Sequence, residues 1–163
     1  MGLLETLEAI LLRKGTLPKE IRVDLKEIVC KRKKKNLIET FRTTAVGAEY
    51  KNLDGSSRQD ALQKVKEGDK VRMIWGEGES GEKDIVYLVK GGIGRELNMS
   101  NCFGRLDDKT AAEVIRKLTK ENITTAARVV KITGGTSKRP KLGCVLELET
   151  YRGPKEKEKT KKD

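Results

Sequence analysis

Apolar residues in the first 30 positions recur at the spacing of an amphipathic helix. They are Leu3, Leu4, Leu7, Ile10 and Leu11 in a first stretch, and Ile21, Leu25, Ile28 and Val29 in a second. A turn over residues 15–18 separates the two stretches. The pattern predicts a helical hairpin that ends in five consecutive basic residues, Lys31–Lys35, and so forms an N-terminal extension over residues 1–36.

From Leu37 onward the pattern changes to the alternation that is typical of strands, interrupted by two short helices. Strands are predicted around residues 41–50, 71–75, 85–89, 102–106, 123–132 and 145–148. One helix is expected to begin after Ser56 or Ser57, and the other after Asp107 or Asp108, because these side chains cap helix N-termini. The order β-α-β-β-(β)-α-β-β indicates a domain over residues 37–152 that is mainly β with α (α+β), built as a small, partly closed antiparallel β-barrel with two packed helices.

Several of the scarce aromatic and sulfur-containing residues fall on predicted strands. Trp75 alternates with Met73 and Val71, so we expect it in the core, together with Phe103. Cys102 and Cys144 lie in apolar segments and are expected to pack as small core residues.

Positive charge is concentrated outside the predicted barrel. The formal net charge is +11, of which residues 31–35 contribute +5 and residues 152–163 contribute +3. Such a field attracts phosphates without reading sequence. The alternative is that both segments only keep the protein in solution, and residues 153–163 are expected to be a disordered charged tail.

The chain lacks the usual residues of catalysis and metal binding. It contains no histidine, and its three cysteines stand far apart, so neither a zinc knuckle nor a disulfide framework is apparent. The apolar stretch 3–12 is too short to cross a bilayer and lacks the basic start of a signal peptide. We therefore predict a cytoplasmic, non-enzymatic protein with no cofactor, no metal and no membrane partner.

Four short motifs, in their order and spacing, resemble the HIRAN domain, a module that is fused to SWI/SNF-type remodellers and also occurs as small free-standing bacterial proteins. They are residues 46–50 (Val-Gly-Ala-Glu-Tyr), 58–62 (Arg-Gln-Asp-Ala-Leu), 67–71 (Glu-Gly-Asp-Lys-Val) and 103–106 (Phe-Gly-Arg-Leu). The resemblance implies an OB-like barrel that grips the 3′ end of single-stranded DNA. It also implies that Tyr50 stacks on a terminal base, that Arg105 lies near the backbone phosphates, and that Lys51 and Arg58 flank the same edge.

A basic loop predicted between the last two strands adds further candidates. Lys138 and Arg139, with Lys141, could extend a track for phosphates, or could be the solvated tip of a hairpin. Alternatives also stay open for the other candidates: Tyr50 as a barrel-rim tyrosine, and Arg58 and Arg105 as exposed surface arginines.

Two functions are compatible with these sequence features. The first is non-catalytic binding of single-stranded DNA, with recognition of its 3′ end, in DNA repair or mobile-element biology. The second is a protein-interaction adaptor, in which the barrel is a scaffold and the N-terminal helices recruit a partner. The basic excess and Arg105 favour the first. Residues 77–84, which replace the family's loop with its second stacking tyrosine, favour the second.

Overall fold

A computed structural model describes residues 25–52, 54–77, 83–91 and 99–153. Within these residues the chain forms seven strands and two α-helices. Their bounds are β1 Leu25–Ile28, β2 Leu37–Thr44, α1 Arg58–Gln63, β3 Lys70–Gly76, β4 Ile85–Lys90, β5 Cys102–Arg105, α2 Asp108–Glu121, β6 Ile123–Thr133 and β7 Gly143–Arg152. Two single 3₁₀ turns occupy Lys34–Asn36 and Met99–Asn101. No helix within the described ranges is both long and apolar enough to cross a membrane.

The strands form one antiparallel sheet, which confirms the predicted α+β class with a mainly antiparallel sheet and two helices. Its order is β2-β7-β6-β3-β4-β5, and β1 pairs with β3. The long β6–β7 hairpin is the centre of the sheet. Ser57 caps the N-terminus of α1 and Asp107 caps that of α2, and both are among the four residues predicted as caps. The sequence therefore predicted most elements from period and capping chemistry alone.

The prediction of a barrel was wrong in that the sheet does not close. Within the described residues, the two outer sides of the sheet meet at one bridge just beyond the end of β2, where the backbone groups of Val46 and Arg105 exchange hydrogen bonds of 2.9 and 3.0 Å. Pairing stops there because Gly47 has φ +71° and turns the chain away. Gly104 allows the close approach, since a Cβ at that position would lie 3.1 Å from the carbonyl oxygen of Val46, a tight contact.

Helix α2 lies along β2. Its N-cap Asp107 accepts a hydrogen bond from Thr43 Oγ1 (3.3 Å), and Lys117 Nζ lies 2.8 Å from Glu39 Oε1 and over the ring of Phe41. The buried side chains of α2 are apolar: Ala111, Val114 and Ile115. The helix therefore covers the face of β2 that carries Glu39, Phe41 and Thr43.

The core lies between the inner face of the sheet and the two helices. Phe103, Cys102 and Cys144 are fully buried, as predicted, and burial raises the pKa of the Cys144 thiol to about 12. Trp75 meets the prediction only in part: its ring packs against the core while its Nε1 donates to Asp84 Oδ1 at the surface (3.0 Å).

The predicted second helix of the N-terminal hairpin was wrong over Leu25–Ile28. These residues are β1, which pairs with β3 from Leu25↔Gly76 to Ile28↔Met73. Strand β6 pairs with β3 only as far as Val71. Beyond Val71, β1 forms the hydrogen bonds with the backbone of β3 and buries Leu25 and Ile28. The first predicted helix, the start of the second, and residues 154–163 lie outside the described residues, so those predictions and the division into extension and domain stay predictions.

Candidate nucleic-acid interface

The loop between β2 and α1 presents Tyr50 to solvent. After the positive φ of Gly47 the chain makes a tight turn, in which Tyr50 N donates to Gly47 O (3.1 Å). The Tyr50 side chain is 63% exposed, a large fraction for an aromatic residue. Lys51 follows, also exposed, and its backbone bridges to Ser57 on the other side of the loop. A flat, accessible ring and a cation therefore stand side by side.

The side chain of Arg58 is buried under this loop and hydrogen-bonds to it. Although we expected it at the surface, it is 7% exposed, and its Nε donates to Asn52 Oδ1 while its guanidinium NH1 donates to Gly47 O, both at 2.9 Å. The φ of +71° favours glycine at residue 47, and a Cβ there would lie 2.8 Å from that guanidinium nitrogen and would displace it. The structure thus gives Arg58 the task of fixing the shape of the Tyr50 loop.

Asn52 completes the support of the loop and was not among the predicted site residues. It is 5% exposed, and its Nδ2 donates to Ser56 Oγ and to Cys102 O, each at 3.0 Å. In the sequence it stands in Asn52-Leu53-Asp54-Gly55, which is typical of an ordinary turn. Only the fold shows that its side chain joins the loop to β5.

Gln59 joins the Tyr50 loop to the basic loop between β6 and β7. Its Nε2 donates to Ala48 O and to Leu142 O, both at 3.0 Å, and its Oε1 accepts from Leu142 N at 2.7 Å. Sequence reasoning missed this residue as well, although it lies in the 58–62 motif. Three hydrogen bonds from one side chain place the two loops next to each other.

The basic loop, residues 134–142, presents charges that are not neutralised. It is closed by Thr136 N donating to Arg139 O (2.9 Å) and Arg139 N donating to Thr136 Oγ1 (3.0 Å). Lys138, Arg139 and Lys141 are exposed. No carboxylate in the part of the chain that the structure describes pairs with any of them, or with Lys51. We call Tyr50, Lys51 and residues 134–142 together the Tyr50 surface.

Arg105 lies at the root of the Tyr50 loop. Its backbone makes the bridge to Val46, and its guanidinium lies 3.6 Å from Asp108 Oδ1 at the start of α2. The side chain is about one-third exposed. Its charge is therefore shared with a carboxylate, unlike the charges of the basic loop.

The basic run Lys31–Lys35 is at the opposite end of the sheet. Arg32 Nε lies 3.9 Å from Glu149 Oε1, and Leu37 pairs with Tyr151 near the end of β7, whereas the Tyr50 surface adjoins Leu142 before β7 begins. The basic run and the Tyr50 surface are therefore separated by about eight residues of β7, a distance of about 26 Å at ~3.3 Å per residue. The structure brings the six predicted site residues to one end and leaves the basic run at the other.

Comparison of the chain with family models, with curated proteins and with solved structures gave no match. The resemblance to the HIRAN domain therefore stays a prediction that rests on the four motifs.

Proposed function

We propose that this protein binds single-stranded DNA through the Tyr50 surface, without catalysing a reaction. The observation that carries the proposal is the exposed ring of Tyr50, on a loop fixed by Arg58 and tied by Gln59 to unpaired cations. Single-strand binding sites combine these two features, since bases stack on an aromatic ring while cations follow the phosphates.

The proposal includes the HIRAN-type mode, in which the strand is held at its 3′ end. It is supported by the way three of the four motifs meet. Arg58 of the 58–62 motif donates to Gly47 of the 46–50 motif, and Arg105 of the 103–106 motif bridges to Val46. Segments distant in sequence thus form one cluster around Tyr50, as expected if the motifs serve one site.

Fluorescence anisotropy with a labelled strand, ending in a 3′-hydroxyl or a 3′-phosphate, tests both parts. Tyr50→Ala should weaken binding by roughly 1–3 kcal/mol per stacked base, or about five- to 150-fold. Tyr50→Phe should keep the affinity, because the ring and not the hydroxyl stacks. Ile38→Ala, which shortens another exposed apolar side chain far from the site, is the matched control.

The outcomes separate the two parts of the proposal. A preference for the 3′-hydroxyl strand supports end recognition, and equal affinity for both strands leaves general single-strand binding. Equal loss in Tyr50→Ala and Ile38→Ala would remove Tyr50 from the site. No binding to either strand would reject DNA binding and favour the second function.

That second function, a protein-interaction adaptor, is favoured by one observation. Among the described residues, four large apolar side chains are exposed, and three of them, Val29, Leu37 and Ile38, flank the basic run rather than the Tyr50 surface. Exposed apolar groups beside charged ones are a feature of protein contact surfaces.

A further inference from the structure

One face of the sheet carries charged side chains where the other carries the core. Directly opposite residues of antiparallel strands point to the same face of a sheet. Glu147 of β7 is opposite both Arg42 of β2 and Arg128 of β6. Arg128 is in turn opposite Lys70 of β3. These four residues therefore form one row across four strands, and we call the face that carries them the charged face.

The two helices pack on the opposite face. Leu146 and Leu148, which flank Glu147 in β7, are fully buried in the core with the apolar side chains of α1 and α2. On the charged face, by contrast, the side chains of Arg42 and Arg128 are 65% and 50% exposed. The row is therefore open to solvent at the middle of the sheet.

The charged face continues from this row towards both basic ends of the sheet. Val145, Glu147 and Glu149 alternate along β7 and so point to the same face. Lys131 of β6 is opposite Val145 and lies three residues before the basic loop. At the other end, Arg32 of the basic run lies 3.9 Å from Glu149. The charged face thus connects the Tyr50 surface to the basic run.

Positive charge exceeds negative charge on this connection. Its carboxylates on the described strands β2, β6 and β7 are Glu147 and Glu149. Arg42 and Arg128 share Glu147, and the contact of Arg42 is long, at 4.0 Å. Lys131 is exposed and pairs with no carboxylate within the described ranges. The face therefore keeps a net positive charge after its ion pairs are counted.

We propose that a single DNA strand bound at the Tyr50 surface continues across the charged face, over Lys131, Arg128 and Arg42, to the basic run. This inference rests on the proposed function and adds the path of the strand to it. A guanidinium has five N–H donors, so Arg128 and Arg42 can donate to a phosphate while they share Glu147. The distance of about 26 Å between the two ends is about eight nucleotides at ~3.4 Å per nucleotide, within the roughly 4–16 nucleotides of known single-strand sites.

Anisotropy titrations of the full chain with strands of about four and about twelve thymidines test the path, because only the longer strand spans about 26 Å. Arg128→Gln with Lys131→Gln removes two cations from the charged face. Lys109→Gln with Lys120→Gln removes two exposed cations from α2 and is the matched control. All four positions are exposed, so both variants should fold, which thermal unfolding checks.

The expected loss follows from the release of counterions. Each lost phosphate contact should reduce the slope of log Kobs against log salt concentration by about 0.7, which is about fivefold in affinity at ~0.1 M salt. The variant of Arg128 and Lys131 should therefore bind the longer strand about 25-fold more weakly and the shorter strand as wild type does. The control variant should bind both strands like wild type, and so should Arg128→Lys with Lys131→Arg, which keeps both charges.

Equal losses in the two glutamine variants, or an equal loss for both strand lengths, would overturn the path. Tyr50→Ala separates this inference from the proposed function, because it should weaken the binding of both strands. If only Tyr50→Ala loses affinity, the Tyr50 surface stands and the path is rejected. A wild-type protein that binds neither strand would reject both.

Discussion

Replacement of Arg58 distinguishes a loop support from a phosphate contact. Arg58→Met keeps the length of the side chain but removes the hydrogen bonds to Asn52 Oδ1 and Gly47 O, both of 2.9 Å. Hydrogen bonds from a charged donor contribute about 1.5–3 kcal/mol each, and part of this is recovered when an apolar side chain takes the buried space. We therefore expect the free energy of unfolding to fall by about 2–4 kcal/mol.

Thermal and urea denaturation measure this loss, which corresponds to a fall in Tm of roughly 6–14 °C for a protein of this size. The matched control is Arg42→Met, since the Arg42 side chain is largely exposed and its ion pair with Glu147 is long, at 4.0 Å. Its effect should stay within about 0.5 kcal/mol. An Arg58→Met protein of unchanged stability that binds DNA more weakly would refute the role of Arg58 as a loop support, because the guanidinium would then act on the phosphates and not on the loop.

Three further predictions concern other parts of the structure. Gln59→Ala should lower the free energy of unfolding by about 1–2 kcal/mol, measured as a lower urea midpoint, because it removes the hydrogen bonds between the two loops. Gln63, at the end of the same helix, is exposed, so Gln63→Ala should leave the midpoint unchanged. Equal effects of the two substitutions would show that Gln59 does not hold the loops together. Burial acts to raise the pKa of Asp107, but hydrogen bonds from Thr110 and Thr43 hold it below the ordinary value, so Asp107→Asn should be less stable than wild type at neutral pH. The difference should begin to shrink near pH 4 and be lost as the pH falls through the lowered pKa of the folded state, and a difference that stays constant down to the lowest pH would contradict this. Replacing the four lysines of residues 31–35 by glutamine should flatten the salt dependence of binding to a long DNA strand, because such a strand reaches both ends of the sheet. Binding of a DNA strand too short to cross about 26 Å should keep its salt dependence. An equal change for both DNA strands would place the basic run at the Tyr50 surface.

The structure also changes how the basic run must be tested. Deleting residues 1–35 would remove β1, whose Leu25 and Ile28 are buried against β3, and would disturb the sheet as well as the charge. Substitution of the lysines changes the charge alone.

Local chemistry was enough to predict much of the fold. Ser57 and Asp107 were among the expected caps because a short polar side chain before an apolar helical period satisfies free backbone N–H groups. Strand β7 follows from alternation of buried and exposed positions, whereas β6 buries three residues in succession, 125–127. These features depend on residues that are neighbours in sequence, so a pattern is sufficient to find them.

Other features were decided by contacts between distant residues. Leu25 and Ile28 fit one face of a helix, but the open edge of β3 beyond Val71 makes them a strand. Arg58 looks like a surface cation in sequence, yet the carbonyl of Gly47 and the amide of Asn52 hold it inside.

The site itself shows the same division. The resemblance of residues 46–50 to the HIRAN domain singled out Tyr50, and local composition marked residues 138–141 as basic. Only the tertiary structure decided that they share one end of the sheet, through Gln59, and that the strongest basic run lies at the other. The reason is physical: a hydrogen bond across 83 residues depends on how the chain folds back, and no local pattern encodes that distance.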